Sequence, residues 1–196
     1  MGMVCLVLHP QGYRLPQDDP RSDESLIAAA NQGDADAFAA LYHRHRDWAV
    51  RLARRFTRSD DDALDVLQET FIYFFRKFPG FQLSASITTF LYPVVKNLSL
   101  ALRRKRDRYI GDWDSLDSVE SMPLEPGDPR TELSSVLIAL GPHHREVVLM
   151  RFVDGMSLEE IATSLSVPLG TVKSRLHHAL NVLRDDPRTL RYFDPI

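Results

Sequence analysis

The residues best suited to chemistry lie close together near the C-terminal end of the chain, and their chemistry is that of nucleic-acid binding. Lys173 and Arg175 carry cations that can pair with phosphates or hydrogen-bond to guanine edges. Ser174 is short enough to let the backbone come close to a ligand. Thr171 and His178 place further polar groups on or beside the same outward face. At helical spacing, these residues predict a helix whose outer face contacts DNA.

Two helices joined by a tight turn must position these residues. Ser157 and Glu160 have the spacing of a capping box, which marks the start of the first helix. Pro168 and Gly170 predict the turn. The apolar stripe is Leu158, Ile161, Ala162 and Leu165 in the first helix, and Val172, Leu176, Ala179, Leu180 and Leu183 in the second. This pattern indicates a helix-turn-helix, with a plain helical hairpin as the alternative that periodicity leaves open.

A family resemblance adds to this interpretation. The run from Gly170 to Leu176, GTVKSRL, resembles the recognition helix of bacterial RNA polymerase sigma factors of the extracytoplasmic-function (ECF) type. Residues 149–162, LMRFVDGMSLEEIA, resemble the preceding part of the same domain. The resemblance implies that this helix reads the duplex −35 element in the major groove. The residues implied are Thr171, Lys173, Ser174, Arg175 and His178.

A second set of polar residues begins within three aspartates at 60–62, which favour a helix N-terminus there. Residues 62–71, DALDVLQETF, are similar to the helix by which ECF sigma factors dock on the polymerase clamp. The resemblance implies that Asp62, Asp65, Gln68 and Glu69 contact core polymerase, with Leu64 where the family usually has Glu. Without the resemblance, the same carboxylates are also compatible with a divalent-metal site or a solvated face.

Residues 78–86 break the helical pattern at Pro79 and Gly80, which predicts a loop. In ECF sigma factors the equivalent loop captures an unstacked base of the melted −10 element. Extracting a base costs a few kcal/mol, which a fitted pocket offsets. The candidates for this pocket are Gln82, Leu83 and Ser84.

In the helix predicted at 87–108, the runs TFLY (89–92), KNL (96–98) and RRKR (103–106) resemble the family's single-strand-binding helix. Aromatic side chains beside cations suit unpaired DNA, since bases stack and phosphates pair with Arg or Lys. The resemblance implies DNA contacts from Lys96, Asn97, Arg103 and Arg104. Phe90 replaces the Trp commonly found in the family. Pro93 lies inside the helix, where it removes a hydrogen bond at a cost of roughly 3 kcal/mol unless the helix kinks or restarts.

Helical periodicity elsewhere predicts an all-α fold of two small domains. The expected segments are a tail (1–21), a sigma region 2-like bundle (22–108), an acidic linker (109–130), a four-helix domain (131–185) and a second tail (186–196). In the first domain Gly33 is expected to end one helix and Asp34 to cap the next. Arg44, His45 and Arg46 are expected to lie outside the apolar stripe of that next helix.

Charge and composition narrow the function. The formal net charge is −3, whereas a DNA binder acting alone is usually basic. Between residues 109 and 132 the chain has seven acids and one base, which makes this segment strongly acidic. In ECF sigma factors the equivalent connector threads the RNA-exit path of polymerase. The alternative is a solvated spacer. Cys5 is the single cysteine, which excludes an internal disulfide and a cysteine-based zinc site and is consistent with a reducing cytoplasm. The adjacent pairs His143-His144 and His177-His178 are expected at the surface rather than on a metal.

The sequence therefore predicts an alternative sigma factor, located in the cytoplasm with the nucleoid. Its expected partners are core RNA polymerase, promoter DNA and an anti-sigma factor. We expect no cofactor, metal or membrane insertion, and no enzymatic activity of its own. The alternatives are a stand-alone helix-turn-helix regulator, which would bind duplex DNA tightly as a dimer, and a nuclease or other metal enzyme, which would depend on metal.

Overall fold

The computed structural model describes residues 19–110 and 135–189, and the regular structure within these ranges is helical, which confirms the all-α prediction. None of the described helices is long and apolar enough to cross a membrane. Residues 135–139 are helical and precede α5. The helices are α1 (Asp23–Ala30), α2 (Ala35–Thr57), α3 (Asp60–Phe75), α4 (Ile87–Ile110), α5 (Pro142–Phe152), α6 (Leu158–Leu165) and α7 (Leu169–Asp185).

Side-chain caps explain where the first three helices begin. The side-chain oxygens of Ser22, Asp34 and Ser59 each accept hydrogen bonds from backbone N–H groups of the following first turn. Gly33 adopts a positive φ of 88° between α1 and α2. The sequence-based prediction for Gly33 and Asp34 is therefore confirmed.

Helices α1 to α4 form the N-terminal module, in which α2, α3 and α4 pack around an apolar core. Leu41 and Leu52 of α2, Phe74 of α3 and Leu91 of α4 are fully buried in it. Leu26 attaches α1 to the same core. The spacing of these residues along each helix accounts for the bundle, because each helix buries one stripe.

His45 corrects one expectation. It is buried, and its Nε2 lies 2.9 Å from Oδ2 of Asp23 in α1. Arg44 Nη1 donates to Oδ1 of the same carboxylate at 2.6 Å. Desolvation raises the pKa of Asp23, but hydrogen bonds from His45 and Arg44 outweigh it, and the pKa is lowered overall. These residues are thus the polar connection that holds α1 on α2.

Helix α4 runs without a break through Pro93 and continues to Ile110, so the first two residues of the predicted linker are helical. Proline lacks the N–H that would bond to the carbonyl of Thr89. That carbonyl instead accepts a hydrogen bond from Ser164 Oγ of α6 at 3.2 Å. The lost helical bond is replaced from the C-terminal half of the chain, which explains why the helix needs no restart. The remainder of the linker and residues 131–134 lie outside the described residues.

Helices α5 to α7 form the C-terminal module and confirm the helix-turn-helix. Both bonds of the predicted capping box are present: Glu160 N donates to Ser157 Oγ at 3.1 Å, and Ser157 N donates to Glu160 Oε2 at 2.8 Å. Ser166 ends α6 with a left-handed φ of 54°. Gly170, expected in the turn, lies inside the first turn of α7, because Pro168 already provides the extended residue before that helix.

Buried polar groups complete this module at both ends. Arg145 of α5 donates to the carbonyls of Leu137 (2.7 Å), Ile138 and Leu140 (3.0 Å), and so satisfies the end of the helical residues 135–139. Past α7, Thr189 is buried and its hydroxyl donates to the carbonyl of Asp186 at 2.9 Å. The first residues of the predicted C-terminal tail are therefore part of the folded module.

We predict that Asp23→Asn lowers the free energy of unfolding by about 1–3 kcal/mol, because two charge-assisted hydrogen bonds lose their acceptor charge. Glu24→Gln, exposed on the same turn of α1, is the matched control and should change little. Urea unfolding measures both variants.

The pH dependence of this effect follows from the lowered pKa of Asp23. Its contribution is fully present above the unfolded value, near 3.8, and is lost as pH falls through the lower folded value. The difference between wild type and Asp23→Asn should therefore shrink in acid. A difference that stays constant from neutral pH down to acid unfolding would contradict this role.

Candidate nucleic-acid and polymerase interfaces

The outward face of α7 carries the residues predicted to contact DNA. Val172, Ala179 and Leu183 are buried and fix the orientation of the helix. On the opposite side Lys173, Ser174 and His178 are exposed, while Thr171 and Arg175 are half-buried. Residues 171, 174, 175 and 178 follow helical i, i+3 and i+4 spacing, so they form one row. This row can enter a major groove as a unit.

Histidines of two helices meet beside this row. The rings of His144 in α5 and His178 in α7 have centroids 4.6 Å apart. The pKa of His144 is lowered, first by burial and then by the positive charges of His178 and Arg175. His143, His177 and His178 are exposed, as expected, whereas His144 is half-buried. The pairing across helices was missed, since it depends on how α5 crosses α7.

A clamp from α1 fixes the loop between α3 and α4. The side-chain oxygen of Asn31 accepts from the backbone N–H groups of Gly80 (2.7 Å) and Phe81 (3.0 Å). Its Nδ2 donates to the carbonyl of Phe81 at 2.9 Å. Gly80 has a φ of 96°, which glycine adopts without strain. Sequence reasoning missed Asn31, because a helix-terminal Asn gives no signal for a partner some fifty residues away.

Aromatic rings hold the same loop against α3 and α4. Phe74 contacts Phe78, Phe81 and Phe90 at centroid distances of 5.4, 5.3 and 5.8 Å. Phe81 and Phe90 contact each other edge to face at 5.0 Å. Such ring pairs stabilise beyond the area that they bury. Phe90 therefore packs in the core and, at the same time, shapes the surface beside the loop.

That surface is a cavity of about 620 Å³ lined by α3, α4 and the loop, with Thr163 of α6 contributing from the C-terminal module. Two of the residues predicted to read the −10 element, Ser84 and Asn97, line it, together with Phe90 and Tyr73. Its size lies within the range of about 300–1,000 Å³ that is typical of small-molecule pockets. Gln82 is exposed and Leu83 packs on the core, and neither lines the cavity.

The cations predicted on α4 differ in their surroundings. Arg104 is exposed. Arg103 is buried and its Nε lies 3.6 Å from the carboxylate of Asp107, so it faces the protein. Lys96 Nζ donates to Glu146 Oε1 of α5 at 2.5 Å. Of the two arginines, the exposed Arg104 is therefore better placed to contact DNA than the buried Arg103.

The outer face of α3 combines acids with apolar side chains. Asp65, Gln68 and Glu69 are exposed there, as the polymerase-docking prediction requires. Leu64 and Ile72 are also exposed on this helix, by 47% and 42%. Such a mixed face suits a protein partner better than a nucleic acid.

Asp62 is engaged within the chain. Its carboxylate accepts from Arg106 Nη1 of α4 at 2.8 Å, and this ion pair connects the start of α3 to the far end of α4.

Among the described residues, no group of three or more His, Cys, Asp or Glu side chains is placed to hold a metal ion.

Comparisons with known proteins match both modules. The family model for Sigma-70 region 2 matches residues 41–109, and that for Sigma-70, region 4 matches residues 136–185. The ECF RNA polymerase sigma factor SigE of Mycolicibacterium smegmatis is 32% identical over 180 residues, which cover 87% of this chain and 69% of the relative. The ECF RNA polymerase sigma factor SigW of Bacillus subtilis is 28% identical, over 84% of this chain and 96% of its own length.

Solved structures agree. CnrH, in complex with the cytosolic domain of CnrY, superimposes with a TM-score of 0.61 at 25% identity, covering 88% of this chain and 99% of that one. The sigma factor RpoE of Bartonella quintana, in complex with the anti-sigma factor NepR, shares the fold with a TM-score of 0.55 at 24% identity, over 71% and 89% of the two chains. With both sigma-70 regions present in order and a relative matched over most of its length, this chain belongs to the ECF family of RNA polymerase sigma factors.

Proposed function

We propose that this chain is an alternative sigma factor that binds core RNA polymerase and selects promoters through two separate DNA contacts. One observation carries the proposal: a helix fit for a major groove and a cavity of base-binding size occur in one chain, each in the module that matches the corresponding sigma-70 region. A stand-alone regulator has no use for the second feature.

In the C-terminal module, α7 reads the −35 element. Arg175 lies in the middle of the polar row and is half-buried, close enough to His144 for its charge to lower the pKa of that imidazole. Lys173 and Ser174 are exposed at the start of the helix, where they can contact phosphates. Thr171 and His178 complete the contact surface.

In the N-terminal module, the cavity receives an unstacked base of the −10 element. Asn97 provides donors and an acceptor for the base edge, and Phe90 and Tyr73 provide apolar walls. Ser84 supplies a hydroxyl from the loop, whereas Gln82, Leu83 and Arg103 have no direct role in this cavity. Arg104 and, when it is released, Lys96 contact the strand's phosphates.

The outer face of α3 docks on core polymerase through Asp65, Gln68 and Glu69, with Leu64 adding apolar contact area. Asp62 supports the helix start rather than the interface, because Arg106 occupies its carboxylate. An anti-sigma factor is a further partner of this chain, as NepR is of RpoE. Action on polymerase places the protein in the cytoplasm.

The experiment that tests the proposal is transcription by core RNA polymerase on a pool of genomic promoter fragments, with and without the protein. We expect specific start sites that appear only when the protein is present, and upstream of them shared −35 and −10 sequences. No new start sites, together with no association with core enzyme, would favour the stand-alone regulator.

Arg175→Ala should weaken holoenzyme binding to the cognate −35 sequence by about 1–3 kcal/mol, because a bidentate base contact is lost. Arg184→Ala is the control, since it removes the same side chain from the exposed last turn of the same helix. Filter binding to a set of single-base −35 variants measures both. An equal loss on every sequence would make Arg175 a phosphate contact and end the base-reading role.

Asn97→Ala should abolish the preference for one base at one −10 position while leaving −35 selectivity intact, because only the cavity loses its polar edge. Initiation from pre-melted promoters carrying each base at that position measures the preference without the cost of melting. Lys105→Ala, exposed on the same helix, should leave base preference unchanged. Preserved discrimination in Asn97→Ala would place the base elsewhere.

A further inference from the structure

Ionisable groups of two helices meet at one edge of the polar row on α7. The ring of His144 in α5 lies at a centroid distance of 4.6 Å from the ring of His178, with the two planes tilted by 49°. His178 is exposed and His144 is half-buried, so the pair can be reached from solvent. Arg175, one helical turn before His178, is close enough for its charge to act on the imidazole of His144. Three groups that can carry positive charge therefore lie together.

The ionisable groups around His144 are all bases in the part of the chain that the structure describes. Besides burial, which acts first, the groups that lower its pKa are His178, Arg175 and His143, and each is cationic when charged. His144 also lies in the first turn of α5, where the helix dipole adds positive potential. In the free protein His144 is therefore neutral at neutral pH, and a bound anion would remove the repulsion that keeps it so.

The position of His144 beside α7 suits a DNA phosphate better than a base edge. A helix is about 10–12 Å wide and the major groove about 12 Å, so a helix in the groove has phosphates of both strands along its flanks. Lys173 lies two residues before Arg175, about 200° of helical rotation away, and so projects from the opposite flank of α7. His144 stands beside the flank that carries His178. The two flanks can therefore contact the two strands.

We infer that His144, together with His178 and Arg175, forms a site for a backbone phosphate of the −35 duplex, and that the histidine pair takes up a proton when this phosphate binds. Imidazolium N–H groups donate strong, charge-assisted hydrogen bonds to phosphate oxygens. The site extends the DNA contact from α7 onto α5 and selects no base, because phosphates carry no sequence information. The inference rests on the proposed function for the −35 element, but duplex binding can be measured without polymerase.

The coupled proton fixes the direction of a pH effect. A bound phosphate raises the pKa of His144 from its value in the free chain, which lies below the usual 6.5. Between these two values the complex holds more protons than the free chain, so duplex affinity rises as pH falls through this window. Well above the window affinity does not depend on this group. We expect about tenfold tighter binding at pH 6 than at pH 8, the effect of about one pKa unit.

The test is fluorescence anisotropy of a fluorescein-labelled duplex of about 20 base pairs and random sequence, titrated with the full chain in low salt, because phosphate contacts form on any sequence. His144→Gln should lose most of the gain in affinity between pH 8 and pH 6. His144→Arg carries a permanent cation, so it should bind about tenfold tighter than the wild type at pH 8 and depend little on pH.

His143→Arg is the matched control, because it adds the same charge at the exposed neighbouring position. It should tighten binding less than His144→Arg does and should keep the pH dependence of the wild type. Circular dichroism at both pH values shows whether each variant is folded. If His144→Arg does not fold, the pH profile of His144→Gln still decides.

Three results would overturn the inference. The wild type could bind the duplex equally at both pH values, or at neither. His144→Gln could keep the full pH dependence, or His143→Arg could tighten binding as much as His144→Arg, which would reveal a general effect of charge. Failure of the proposed function looks different: the pH dependence and its loss in His144→Gln would follow expectation, yet the protein would direct core polymerase to no new start sites.

Discussion

The packing of Phe74 against the loop between α3 and α4 is the interaction on which the N-terminal half depends. Its ring contacts Phe78, Phe81 and Phe90, and so one buried side chain fixes the loop and the first turns of α4 together. The cavity with Asn97 is the space left between these fixed elements. Because interiors resist deformation, a base-sized pocket can be maintained at the surface only where its walls are anchored in this way.

Three sides of helix α4 have different surroundings, and the residues on each side fit them. One side is buried against α2 and α3 through Leu91 and Val95. A second side faces the cavity, and a third meets the C-terminal module through Tyr92 and Lys96. Pro93 would weaken an isolated helix, but here the freed carbonyl of Thr89 is bonded by another module. A local defect is thereby turned into a contact between domains.

Local sequence patterns predicted most of the fold, whereas contacts between residues far apart in the sequence were not predicted. The caps at Asp34 and Ser157, the end at Gly33 and the helix-turn-helix depend on residues three to five positions apart, so the sequence contains the whole cause. The burial of His45, the clamp by Asn31 and the burial of Arg103 depend on which helices meet, which periodicity does not specify. The candidate site divides in the same way: α7 was assigned from its own pattern, whereas the cavity required the loop and two helices to be placed first.

The acids behind the net charge of −3 include several that form specific ion pairs. Acids do not simply dilute the basic segments; Glu146, Asp154 and Asp62 each sit on a specific cation, Lys96, Arg55 and Arg106 respectively. Two of these pairs, Lys96–Glu146 and Arg55–Asp154, cross between the modules, so cations of the N-terminal module are paired with acids of the C-terminal one. Each pair is neutral as a unit, so the overall acidity of the chain does not set the local charge beside the exposed Arg104 and Lys173.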